Sequence, residues 1–110
     1  MVRFYTTERA DVQHAWHLYV LRLRLEQLTI SRDHFIDELT TRGIGTSVHF
    51  IPVHVHPYYR DKHGYTPEDF PVTYANFQRM LSLPLNTRIT DEEVERVIDS
   101  VIDLVESHRK

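Results

Sequence analysis

The sequence predicts an α+β fold: a two-layer sandwich in which a small, mainly antiparallel sheet carries helices on one face. Two observations lead there. Hydrophobic periodicity changes along the 110 residues in the order strand, helix, strand, helix, helix. The helices also carry capping residues, so their ends are marked in the chain itself. The length suits one domain, and a sheet this small leaves its second face open unless another domain covers it.

Residues 1–11 mix charges with threonines and read as an opening segment, extended in form. From Val12 to Leu25 the aromatic and branched residues, with alternation from Val20 onward, predict a long strand. Its middle is apolar on both faces, which predicts cover on both sides. Ser31 is a good N-cap for a helix over Arg32–Arg42 that buries Phe35, Ile36 and Leu39. Gly43 supplies the residue after the helix, and Ile44 the apolar contact that often follows.

Thr46–Val53 reads as the second strand, with Pro52 arguing for an edge or a bulge. Residues 56–70, with Pro57, Gly64 and Pro67, read as a long loop, and loops of that length are more often functional than accidental. A short helix is predicted from Pro71 to Leu81, ended by Leu83-Pro84-Leu85. In the last helix Thr90 and Glu93 make a capping box, and Asp91 and Glu92 sit at the positive end of the dipole. His108, Arg109 and Lys110 complement the other end, and Val94, Val97, Ile98, Val101, Ile102 and Val105 form one apolar stripe.

Composition narrows the function. A net charge of -3 gives no electrostatic footprint for nucleic acid or an anionic membrane. No apolar run approaches the ~20 residues of a membrane span, and no signal peptide opens the chain. The absence of cysteine removes disulfides and thiolate chemistry and is compatible with a reducing cytoplasm, the expected location.

The chemistry concentrates in His49-Phe-Ile-Pro-Val-His54-Val-His56-Pro57-Tyr58-Tyr59. Three imidazoles and two phenols are more polar, titratable chemistry than a core strand uses, and they read as one wall of a site. On a strand His54 and His56 would share a face and could bind a metal, with His14, His17 or Asp61 as a third ligand. The plainer reading is that two-apart histidines arise by chance among eight. Trp16 and Tyr19 read as core rather than as stacking platforms, and Tyr74 and Phe77 as packing residues. Arg22, Arg24 and Arg42 are scattered in the manner of solvated charges, and Gly43-Ile-Gly45 lacks the spacing of a phosphate loop. Only Lys62 and Lys110 carry amines, in a loop and at the last position. Neither looks like a desolvated Schiff-base lysine, so the reacting group of such a site belongs elsewhere.

Taken in order, His14-Ala-Trp-His-Leu-Tyr-Val, Arg32-Asp-His-Phe-Ile-Asp-Glu-Leu, Arg42-Gly-Ile-Gly-Thr-Ser-Val-His-Phe, Pro52-Val-His-Val-His-Pro-Tyr-Tyr-Arg, Leu81-Ser-Leu-Pro-Leu and Thr90-Asp-Glu-Glu-Val resemble the C-terminal part of DegT/StrS-type aminotransferases acting on nucleotide-linked keto-sugars. The resemblance runs from about His14 onward. It implies the small C-terminal domain of a fold-type I pyridoxal-phosphate enzyme, with a missing N-terminal large domain carrying cofactor and lysine. It also implies a homodimer when complete, a nucleotide-sugar substrate, and glutamate as the typical amino donor. Pyridoxal phosphate belongs to the full-length enzyme, and this chain alone is expected to bind none and to be inactive. By motif position His54 and Tyr58 are expected to contact substrate or cofactor, with Tyr59 and His49 as further candidates. His56 falls where relatives often carry glutamine. The competing expectations are a histidine-rich metal-binding module and a stand-alone regulatory domain.

Overall fold

A computed structural model describes residues 2–3 and 10–110. Three antiparallel strands form one sheet in the order β1 (Val2–Arg3), β2 (Tyr19–Leu23), β3 (Met80–Leu83). Val2 pairs with Leu23, and Tyr19 with Leu83. Among the described residues four helices accompany the sheet: α1 (Arg32–Thr41), α2 (Pro57–His63), α3 (Pro71–Arg79) and α4 (Asp91–Ser107). Leu21 and Leu81 face each other across β2 and β3, and with Leu23 they meet Phe35 and Leu39 of α1 and Val101 and Leu104 of α4. This is the α+β sandwich the residue pattern predicts, with α1 and α4 over one sheet face.

The helix ends follow their caps. The Ser31 hydroxyl accepts the N–H of His34, and Thr90 and Glu93 exchange side-chain and backbone bonds across the first turn of α4. Gly43 takes φ +74°, the left-handed conformation that closes α1, and Ile44 behind it is buried.

Several elements depart from the sequence reading. The long strand from Val12 to Leu25 shrinks to Tyr19–Leu23 because the chain turns sharply before it: Trp16 holds φ +48° and donates its N–H to His14 Nδ1 at 2.8 Å. β2 is covered on one face only, since Leu21 and Leu23 are buried while Val20 is exposed. The strand expected over Thr46–Val53 reduces to one bridge between Ser47 and Ser82. Beyond it no neighbouring strand receives the chain, and a 3-10 turn takes over at Val53–Val55.

Residues 56–70 are not a loop. Pro57 occupies the first position of α2, Gly64 at φ +66° caps its end, and a second capping box joins Thr66 to Asp69 over Pro67–Asp69. α3 stops at Arg79, two residues earlier than expected. Pairing of Met80–Leu83 with β2 overrides the helical pattern there, and the Arg32 guanidinium gathers the carbonyls of Phe77 and Met80, both at 3.1 Å. Of the opening segment, Val2–Arg3 joins the sheet as β1, and Met1 and residues 4–9 lie outside the described residues.

Candidate functional site

The imidazole–phenol strip lies across the 3-10 turn and α2. Pro52 fixes the entry to the turn with φ -56°, and Pro57 starts α2 where a missing N–H is harmless. His54 is the buried member of the strip, 6% exposed, with its ring 4.8 Å from Phe70. Its Nε2 meets no hydrogen-bond partner among the described residues. A buried ring nitrogen left without a partner costs free energy, so its retention points to a partner from outside.

Tyr58 and Tyr59 sit on the first turn of α2, exposed, their rings edge-on at 5.1 Å. Lys62, one turn on, donates to the Tyr58 hydroxyl at 3.1 Å. The neighbouring Asp61 accepts from Arg60 at 2.9 Å and raises the guanidinium pKa, so that charge is permanent. His56 bonds the Ile51 carbonyl through Nε2 at 3.2 Å. Two-apart residues share a face on a strand but not on a 3-10 turn, so the alternative of a metal held by His54 and His56 loses its geometric basis. Among the described residues no group of three or more metal-ligating side chains occurs.

His49 belongs to a different surface, a hollow of about 200 Å³ formed with His17, Ser47, Ser82, Leu83 and Pro84. The Ser47–Ser82 bridge, with N···O distances of 3.2 and 2.8 Å, holds its floor. The sequence reading missed Ser47 and Ser82, because serines signal a site only when tertiary pairing brings them together. It also missed the exposure of Trp16, which is 39% exposed and stacked 6.3 Å from Tyr19 rather than in the core. Partial burial raises the Tyr19 phenol pKa. Arg42 bonds Asp103 at 2.7 Å, tying the end of α1 to α4.

Neither amine is placed to anchor a carbonyl cofactor. Lys62 Nζ lies against Tyr58, and Lys110 Nζ is 3.5 Å from the Leu25 carbonyl; both residues are exposed. The donor set fits hydrogen bonding, orientation and exclusion of water, and it does not fit covalent attachment of pyridoxal phosphate.

Comparisons with known proteins identify the family of the chain. The sequence pattern of the DegT/DnrJ/EryC1/StrS aminotransferase family matches residues 2–102. A protein of Methanocaldococcus jannaschii is 45% identical over 94% of this chain and 27% of its own length. The spore coat polysaccharide biosynthesis protein SpsC of Bacillus subtilis is 47% identical over 86% of this chain and 25% of its own length. Among solved structures, Spr1654 of Streptococcus pneumoniae, assigned as a sugar aminotransferase and determined in its pyridoxal phosphate form, superposes with a TM-score of 0.82. Identity there is 28%, over 96% of this chain and 26% of that one. The chain therefore spans about a quarter of the length of the relatives it matches. Among the described residues no helix is long and apolar enough to cross a membrane.

Proposed function

The chain belongs to the DegT/DnrJ/EryC1/StrS aminotransferase family, and on that premise we propose that it is the substrate-covering C-terminal part of an enzyme that aminates a nucleotide-linked keto-sugar. The observation that carries the reading is the pairing of a near-complete family match with a site wall that lacks a placed amine. The large domain supplied by the rest of such a polypeptide would carry pyridoxal phosphate and its lysine. The cofactor's chemistry is to accept an amino group from a donor such as glutamate and pass it on.

This chain's own residues orient and enclose. His54, whose buried Nε2 has no partner among the described residues, takes the contact to the sugar nucleotide or the cofactor phosphate in this reading, and the Tyr58 hydroxyl takes a second polar contact. Tyr59, next to Tyr58 on α2, lines the approach, and His49 offers a further contact from its own hollow. Burial of these contacts excludes water, which strengthens each of them. The complete enzyme is a cytoplasmic homodimer in this reading.

The test joins this chain to the remainder of SpsC in place of that protein's own matched segment. The chimera should aminate a keto-sugar nucleotide, while the 110-residue chain alone should neither transaminate nor form a borohydride-stable adduct with pyridoxal phosphate. His54→Ala in the chimera should raise KM for the sugar nucleotide about tenfold or more, the scale of one lost contact to a charged group. Transamination by the isolated chain would overturn the reading, and so would an unaltered KM.

A further inference from the structure

An apolar groove of about 610 Å³ runs between the sheet and α4, and the proposed chemistry does not use it. One wall is the sheet, through Tyr19, Leu21 and Leu83; the other is α4. Val94, Ile98 and Ile102 recur every fourth residue along α4, so they share one face. They stand 37%, 44% and 49% exposed, beside the buried Val101 and Leu104. Three branched side chains left in water on one helix face are an unfinished interface. Glu95, Asp99 and Glu106 follow the outer edge of the same stripe at helical spacing.

We propose that this groove receives an amphipathic helix from the remaining three-quarters of the aminotransferase polypeptide, apolar at i, i+4 and i+7 with Lys or Arg along one flank; this rests on the reading above. Its length and apolar lining suit a helix lying in a groove. The acidic edge selects a basic flank, because like charges brought together at an interface rim oppose docking. That edge also disfavours a second copy of this chain, whose own α4 would bring another row of carboxylates. The relatives supply the occupant in the same polypeptide, since about three-quarters of their length lies outside the matched segment. Docking there completes the helix layer over the sheet and fixes the angle at which the 49–59 strip faces the rest of the enzyme.

Synthetic peptides of about twenty residues, tiled along the unmatched part of SpsC, should be titrated into this chain by calorimetry. One peptide, or an overlapping pair, should bind with a large negative heat-capacity change. Ile98→Asp or Ile102→Asp should weaken that binding at least tenfold, and Glu95→Lys severalfold in low salt. Both isoleucines are exposed, so circular dichroism of each variant should match the parent chain. In the SpsC chimera, Ile98→Asp should lower the melting temperature and uncouple the two parts in proteolysis.

Failure of every peptide to bind would overturn the proposal, as would binding indifferent to Ile98→Asp. A dimer in light scattering that Ile98→Asp returns to monomer would assign the groove to a second copy and overturn it equally. An inactive chimera whose peptide still binds in the groove would count against the enzymatic reading alone. An active chimera indifferent to Ile98→Asp would count against the groove alone.

Discussion

Arg32 is the one buried arginine among the described residues, and its surroundings explain why it is charged. Its guanidinium donates to the carbonyls of Phe77 and Met80, pairs with Asp33 at 2.6 Å, and lies 5.2 Å over the Phe77 ring. Those carbonyls end α3 and begin β3, so one side chain on α1 fixes the junction. Arg32→Ala should destabilise the chain by about 2–3 kcal/mol in urea unfolding, because buried acceptors lose a charged donor. Arg32→Lys should recover little, since an ammonium cannot reproduce the planar fork. His54 runs the other way. His54→Phe removes a buried nitrogen without a partner and should leave the isolated chain as stable or about 1 kcal/mol more so, while impairing the chimera. A loss of stability in the isolated chain would refute that division between folding and function.

Among the elements, α4 carries a pH dependence. Hydrogen bonding from its own backbone N–H, then from the Thr90 hydroxyl, holds the Glu92 carboxyl below the usual carboxylate range. The folded chain therefore binds fewer protons here than the unfolded one as pH drops through the free-carboxylate range. Stability is fully present above about pH 4.3 and falls as acid titrates the folded carboxyl. Thermal melts should show this decline, and Glu92→Gln should flatten it. Thr90→Ala should cost about 1 kcal/mol at neutral pH through the lost cap. At the end of α1, Gly43→Ala forces a left-handed alanine and brings its Cβ to 3.2 Å from the Arg96 guanidinium. About 1–2 kcal/mol of destabilisation is expected in the same unfolding assay.

These two helices were legible in the sequence because their signals are local: Ser31, Gly43, Thr90 and Glu93 act within one turn of themselves. α2 was read as loop instead, because Pro57 at its start and Gly64 at its end mark a short helix and a loop alike. The strand expected over Thr46–Val53 failed because β-forming residues need a neighbour, and only Ser47 finds one. The site follows the same rule. The His49–Tyr59 strip is visible in the residues, whereas the hollow behind His49 exists only once Ser47 meets Ser82. The exposure of Trp16 depends on a φ of +48° that no residue pattern announces.

At the scale of the molecule, the exposed surface is 8125 Å². Against it stands a core of nine buried apolar side chains among the described residues, beside an open groove. The isolated chain should therefore bind anilinonaphthalene sulfonate and melt several degrees below the chimera. Equal melting temperatures would mean that the open surface needs no cover.

The position of Trp16 has a practical consequence. It is the sole indole of the chain, partly in water, and stacked on a phenol that itself lines the groove. Whatever settles against Tyr19 changes the dielectric around that ring, so its emission maximum is an intrinsic optical gauge of assembly. The protein comes with its own reporter, and docking can be followed in real time without attaching a dye.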